Sequence, residues 1–371
     1  LYILTSLFVP WAQSKSRVYL QESNIDFFPS LINEKKFIDT VDKLTIYIEK
    51  KIRDHPRTKS ILKKFKKSRF IEIDKYAEIF NKRNQNFRIQ KANPNLILAH
   101  KNDGFVLRTP EGFGIGSSKN FYFSHMYNCI YDCRYCFLQG MFSSANYVIF
   151  VNFEDFGASI KNVIDQNINS KITFFSGYDC DSLALENVTG FAKHILPIFQ
   201  QYPEVEIEFR TKSIQREPFM SIEPMENVIM AYSLIPELMS SSLDNKVPSI
   251  SKRIQVISDL ALRGWKIGLR LDPLIHGKDW KFLYEDLLEK VYNSIPLEAI
   301  HSVSVGPLRF PKKMFKDIFN LYPNEPLFTS PLYSNDGIIS YDTNIEEEMS
   351  VFCKNLTLKY LDNSQIFRCY A

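Results

Sequence analysis

Asn128-Cys-Ile-Tyr-Asp-Cys-Arg-Tyr-Cys-Phe137 places Cys129, Cys133 and Cys136 in a C-x3-C-x2-C spacing. Soft thiolates at this density select zinc, copper(I) or iron–sulfur clusters. A structural zinc site wants four ligands, usually as two separated pairs, and the chain has no second pair: Cys180, Cys353 and Cys369 each stand alone in sequence. Iron–sulfur electron carriers use four cysteines at other spacings. Three thiolates can hold three corners of an iron–sulfur cube and leave the fourth iron open to chemistry. The bland alternative is three buried cysteines acting as small apolar residues, which this spacing, with Tyr135 ahead of the last cysteine, disfavours.

Outward from the triplet the chain alternates short β-type runs with helical stretches. Phe121–Phe123 is followed by a helix near Phe153–Gln166, and Ile172–Phe175 by Leu183–Gln201. Val205–Phe209 comes next, then Val228–Tyr232 with Ile250–Arg263, Ile267–Leu271 with Trp280–Val291, and His301–Val305 with Lys312–Asn320. Crossovers of that length read as βα units on a parallel sheet, and six of them predict a partial (β/α)6 barrel. Chemistry in such a barrel belongs at the C-terminal ends of the strands, and the triplet follows the first strand. Asn335-Asp336-Gly337, between Tyr333 and Ile338, is a strong hairpin signal.

The remaining composition narrows the class. With 371 residues, 45% hydrophobic and 24% charged, the chain reads as a globular enzyme with a large core. A net charge of +4 neither demands nor excludes nucleic acid. Six cysteines over this length are no disulfide framework, and a thiol triplet needs a reducing compartment. The apolar start Leu1–Trp11 lacks a preceding basic residue and is too short to span a bilayer, so the expectation is a cytoplasmic protein. Between Lys50 and Arg69 there are ten basic residues against Asp54 alone; a helical basic face there could meet phosphate backbone, or it could be a solvated helix face. No Gly-rich dinucleotide fingerprint and no nucleophile-elbow motif is present, and the six histidines are scattered.

C-x3-C-x-(aromatic)-C resembles the signature of the radical S-adenosylmethionine (SAM) enzymes. The resemblance implies a 4Fe-4S cluster on Cys129, Cys133 and Cys136, whose open iron chelates SAM, and cleavage of SAM to a 5′-deoxyadenosyl radical. The fold expected is α/β, a partial (β/α)6 TIM-like barrel of radical SAM type over residues 119–310. An N-terminal α/β extension (1–118) with the basic segment precedes it, and a C-terminal β-hairpin and helix region (311–371) follows. At the strand ends lie Ser176 and Gly177, Arg210-Thr-Lys212, Ser233, Asp272-Pro-Leu-Ile-His276 and Arg309; each alone could be a loop cap, and their common rim favours function.

The likeness narrows further. Cys136-Phe-Leu-Gln-Gly140, Val151-Asn152, Tyr178-Asp-Cys-Asp-Ser182, Thr211-Lys212, Ser251-Lys-Arg-Ile254 and Leu308-Arg-Phe310 together resemble the spore photoproduct lyase family over roughly residues 45 to 371. Members split the thymine dimer 5-thyminyl-5,6-dihydrothymine in DNA without light. By this match Cys180 donates a hydrogen atom to the thymine radical, Tyr135 packs on the adenosyl group, and Ser176, Gly177, Ser182, Lys212 and Ser233 surround SAM. Arg309 approaches the lesion, and the hairpin with Asn335 and Gly337 wedges into the duplex. Implied partners are DNA carrying a pyrimidine dimer and an external electron donor of flavodoxin or ferredoxin type; a monomer and no membrane are expected. One departure stands out: Phe137 occupies the place of a tyrosine that relays a hydrogen atom between cysteine and SAM. Either Tyr178 or Tyr127 takes over, or SAM is consumed, or the lesion differs. The other readings are a radical SAM enzyme acting on another substrate and a non-catalytic nucleic-acid-binding iron–sulfur protein.

Overall fold

The computed structural model describes residues 44–369; the apolar Leu1–Trp11 segment lies outside them. In chain order the strands used below are β1 (Thr45–Glu49), β2 (Arg69–Ile73), β3 (Leu96–Ala99), β4 (Lys119–Phe123), β5 (Tyr147–Phe150), β6 (Ile172–Ser176) and β7 (Glu206–Thr211). They continue with β8 (Val228–Ser233), β9 (Lys266–Leu274), β10 (Ile300–Pro307), β11 (Arg309–Pro311), β12 (Leu332–Asn335), β13 (Ile338–Tyr341) and β14 (Ile366–Arg368). The longer helices are α1 (Phe153–Asp165), α2 (Phe191–Gln201), α3 (Ile250–Arg263), α4 (Trp280–Tyr292), α5 (Lys312–Leu321) and α6 (Thr343–Thr357).

Six strands, β4, β6, β7, β8, β9 and β10, lie side by side in sequence order and run parallel. All six coincide with runs predicted from the sequence, and they curl into a half-barrel. Every residue of β6 and of β8 is buried, as a parallel strand covered on both faces requires. α1 and α2 present strongly apolar faces to the sheet: Phe153, Phe156, Ile160 and Ile164 on one, Phe191, Ile195, Leu196 and Phe199 on the other are buried. The single helix expected over Leu183–Gln201 is in fact two, Glu186–Thr189 and α2, divided at Gly190.

Two edges of this sheet carry no signal in the sequence. β14 adds a parallel strand outside β10, and Leu107–Arg108 pairs antiparallel outside β4. A second sheet in the order β2-β1-β3-β5, closed by Met126–Tyr127, sits beside the barrel. Its strand β5 lies downstream of the triplet, so the two sheets interleave in sequence. The basic run Lys50–Arg69 is not one helix: a 3-10 turn, the helix Pro56–Leu62 and the start of β2 share it. Much of its charge is spent locally, in the pairs Lys50–Asp74, Arg53–Glu72, Arg57–Glu154 and Lys59–Asp54.

The predicted hairpin forms. Asn335 pairs with Ile338, and Asp336 and Gly337, both at positive φ, make the two-residue turn between β12 and β13. β11 adds a third antiparallel strand through Arg309–Ser340 and Phe310–Ile339, so the hairpin is attached directly to the exit of the last barrel strand. No helix among the described residues is long and apolar enough to cross a membrane.

Candidate active site at the barrel rim

A cavity of about 330 Å³ opens at the C-terminal ends of the barrel strands. Cys129, Cys133 and Cys136 line it, together with Tyr135, Ser176, Gly177, Cys180, Lys212, Ser233 and Arg309. Residues predicted from five separate stretches of sequence thus face one space. Among the described residues no three His, Cys, Asp or Glu donors form a group that could hold a single ion, as a zinc site demands. The three thiols stand around the cavity wall instead, which suits a cluster in which each cysteine takes a different iron.

The loop bearing the thiols is anchored on both sides. Asp132 and Cys133 pair antiparallel with Asn245 and Asp244, and the Arg134 amide donates to the Leu243 carbonyl at 2.9 Å. The Tyr135 hydroxyl donates to Asp244, which also accepts from Arg253 Nη2 at 2.8 Å and from Ser240 Oγ at 3.1 Å. Tyr135, Asp244 and Arg253 form a buried network under the loop; burial, then the Asp244 charge, drives the Tyr135 pKa up. Burial likewise pushes the Cys129 thiol up to about 12 and raises Cys133 and Cys136. A bound metal reverses that preference, because coordination deprotonates a thiol outright.

Lys212 follows β7 beside the triplet, its Nζ 5.2 Å from the centre of the Tyr135 ring. Burial opposes its charge, but Cys133, Asp244 and Cys136 outweigh burial and raise its pKa. A protonated amine therefore sits in the cavity wall near Cys133 and Cys136. Its backbone is fixed by Asp181, which accepts from the Lys212 amide at 2.7 Å, from Thr211 Oγ1 at 2.6 Å and from the Leu183 and Ala184 amides. One carboxylate thus welds the turn after β6 to the end of β7.

That turn carries Cys180. Gly177, at φ +79°, must be glycine, since a Cβ would lie 2.6 Å from Ser182 Oγ and 2.8 Å from the Ser182 nitrogen. Ser182 packs behind the turn and does not line the cavity; its hydroxyl donates to the Ser176 carbonyl and its amide to the Arg210 carbonyl. The sequence expectation that Ser182 touches the cofactor thus meets a residue that braces the turn. Ser176 does face the cavity, and its buried hydroxyl has no hydrogen-bond partner among the described residues, leaving it available to a ligand. The Cys180 thiol is buried, and burial, then Cys129, Asp179 and Asp181, hold its pKa well above the ordinary value. It stays an S–H group.

The strand-end residues Arg210, Ser233, Asp272 and Arg309 also line the cavity, joined by Cys369, which pattern reading missed. Arg210 donates to Ser233 Oγ at 3.2 Å and to the Asp272 carbonyl at 2.8 Å. Arg309 lies 3.9 Å from Asp272 and donates to Cys369 Sγ at 3.0 Å. Cys369 gave no signal because it lies just past β14, an edge strand too short to show a pattern. Phe137 packs against Tyr178 with ring centres 5.6 Å apart, and both line the cavity. Tyr127 does not line it; its hydroxyl accepts from Lys101 Nζ at 2.9 Å among Phe142 and Phe150. Asn335 and Gly337 sit on the exposed hairpin tip outside the cavity, while their neighbour Ile338 is in its wall.

A parallel half-barrel with three loop thiols, a half-buried lysine and a further thiol at one rim has the architecture of a radical SAM enzyme. The family model described as spore photoproduct lyase matches residues 42–329, and the chain belongs to that family. The spore photoproduct lyase of Clostridium acetobutylicum is 22% identical over 76% of this chain and 83% of its own length. That of Bacillus subtilis is 21% identical over 54% of this chain and 59% of its own length. Among solved structures, a spore photoproduct lyase mutant with bound AdoMet and dinucleoside spore photoproduct superposes with TM-score 0.76 at 15% identity, covering 88% of this chain and 98% of the other. A spore photoproduct lyase complexed with the dinucleoside lesion superposes with TM-score 0.74 at the same identity and coverage.

Proposed function

We propose that this protein is a radical SAM lyase that returns spore photoproduct in DNA to two thymines. The observation that carries this reading is the shared cavity: the cysteine triplet, Lys212 and a protonated Cys180 thiol line one space together with Arg309 and Ile338. The named relatives support it, since solved members hold AdoMet and the dinucleoside lesion.

Cys129, Cys133 and Cys136 would hold a 4Fe-4S cluster, and Lys212, Ser176 and Ser233 would surround SAM, with the Lys212 ammonium set against its carboxylate. When bound, cluster and SAM supply a 5′-deoxyadenosyl radical. The protein's own residues do the rest. Tyr135, anchored on Asp244, forms the wall on which the adenosyl group would pack. Once the dimer bond has broken and left an unpaired electron on a thymine carbon, the Cys180 S–H bond breaks homolytically and its hydrogen atom forms the new C–H bond. The Cys180 sulfur then carries the unpaired electron. A neutral thiol can give a hydrogen atom and a thiolate cannot, and burial keeps Cys180 neutral. Arg309, tied to Asp272 and Cys369, faces the lesion side. The hairpin tip at Asn335 and Gly337 enters the duplex, because a lesion must leave the stack before a pocket can act on it.

A low-potential one-electron donor of flavodoxin or ferredoxin type reduces the cluster, a reducing cytoplasm keeps the triplet intact, and a single chain carries every residue of the site. The test is Cys180→Ala with a dinucleoside spore photoproduct, SAM and an anaerobic reductant. SAM cleavage should persist while thymine formation falls at least tenfold and radical-derived side products appear. Undiminished thymine from Cys180→Ala would overturn the assignment of the hydrogen donor.

A further inference from the structure

Helix α5 begins where the lesion side of the cavity ends, and its first turns carry Lys312, Lys313 and Lys316 on the outer surface. Residues three and four apart share a helix face, so the three amines form one basic stripe, with Asp317 the helix's only acid. None of the three is in an ion pair among the described residues.

The stripe's position is fixed relative to the active site from three directions. The Lys312 amide donates to the Gly337 carbonyl at 2.8 Å, joining α5 to the hairpin tip. Pro311 and Met314, on either side of Lys312 and Lys313, line the cavity with Ile338. At the far end of the helix the Tyr322 hydroxyl donates to Asp132 Oδ1 at 2.9 Å, and the Arg134 guanidinium lies 3.9 Å from the Tyr322 ring centre. Asp132 and Arg134 sit between the cluster cysteines. The middle of the helix rests on Gly140, where a Cβ would come within 2.5 Å of the Met314 carbonyl oxygen. The loop that carries the triplet is therefore also the seat of α5.

Resting on the lyase reading above, we propose that the Lys312–Lys313–Lys316 face binds the sugar–phosphate backbone of the duplex flanking the lesion. A strand whose damaged base lies in the cavity runs past the hairpin tip, and phosphates are the groups that complement an unpaired ammonium stripe. Exposed tip residues Tyr333 and Ile338 meet the bases while the lysines meet the backbone. Interactions of this kind carry no sequence information but set affinity and its salt dependence.

The test uses the reconstituted holoenzyme with Lys312→Gln, Lys313→Gln and Lys316→Gln combined. Binding to a duplex oligonucleotide is measured across a salt series, and repair is measured on both a dinucleoside and an oligonucleotide lesion. Every phosphate that is no longer neutralised lowers the slope of log affinity against log salt by about 0.9, so the triple variant should give a slope shallower by about 2 to 3. Repair of the oligonucleotide should fall while repair of the dinucleoside, which has no flanking phosphates, holds. An unchanged slope overturns the proposal, including the case in which only reduction by an acidic flavoprotein slows. Equal falls in repair of both substrates overturn it too. A wild-type protein that repairs neither lesion would count against the lyase reading, and the salt slope would still report on the lysines.

Discussion

Cys180 and Phe137 lie at the same rim and pose opposite problems. Cys180 was legible because a lone cysteine just past a predicted strand, in Tyr178-Asp-Cys-Asp-Ser182, falls where a barrel places its chemistry. Phe137 was legible as a loss: it brings no O–H group to the place next to the last cluster cysteine. The structure sets Tyr178 against the Phe137 ring and keeps Tyr127 out of the cavity, which favours Tyr178 as the source of the missing hydroxyl. If Tyr178 restores the hydrogen atom to Cys180, Tyr178→Phe should raise the 5′-deoxyadenosine formed per dimer split toward one or beyond, with wild type well below one. A wild-type ratio already at one would show that SAM is consumed and that Tyr178 has no relay role. Arg210, Asp272 and Cys369 were illegible as a group, because their meeting depends on strands β7, β9 and β14 curling toward one another.

Among elements, the half-barrel strands were read correctly because a buried parallel strand is an apolar run of defined length between turns, as Val228–Tyr232 shows. The upstream sheet was not, because its four main strands are split by basic segments and by the triplet itself. Polar residues inside the barrel were also hidden from pattern reading. Glu208 shares a face with the cavity-lining Arg210, since residues two apart on a strand point the same way. It pairs with Arg270 through hydrogen bonds of 3.0 and 2.7 Å, and Ser302 accepts two more from Arg270. Both partners are almost wholly buried. Removing one leaves an uncompensated buried charge, so Glu208→Ala should cost about 3–5 kcal/mol, measured as a shift in denaturant midpoint. A destabilisation below about 1 kcal/mol would mean that water reaches Arg270. At the surface, Arg57 grips Glu154 at 2.8 and 3.2 Å and joins the helix Pro56–Leu62 to α1. The Arg57 hydrogen bonds lower the Glu154 pKa to about 2. A depressed carboxylate stabilises the fold above its unfolded pKa and loses that contribution as pH falls toward the folded value. Acid titration from about pH 5 to about pH 2 should therefore weaken the wild type more than Glu154→Gln; equal acid sensitivity would show that the pair contributes nothing.

For the molecule as a whole, the half-barrel, the cluster loop and the hairpin are parts of one arrangement. The loop between the cysteines holds α5, α5 adjoins the hairpin tip, and β11 ties that hairpin to the exit of β10. The hairpin and α5 are thereby registered to the three thiols. Overall charge could not reveal this: a net +4 conceals a basic run partly paired with neighbouring carboxylates and a short stripe beside the cavity that is not. The central claim is tested most directly by incubating the reconstituted protein anaerobically with SAM, a reductant and an oligonucleotide containing one spore photoproduct, then quantifying thymine by chromatography. Two thymines restored for every lesion that disappears, without light, is the expected result. SAM cleaved with the lesion intact would contradict it.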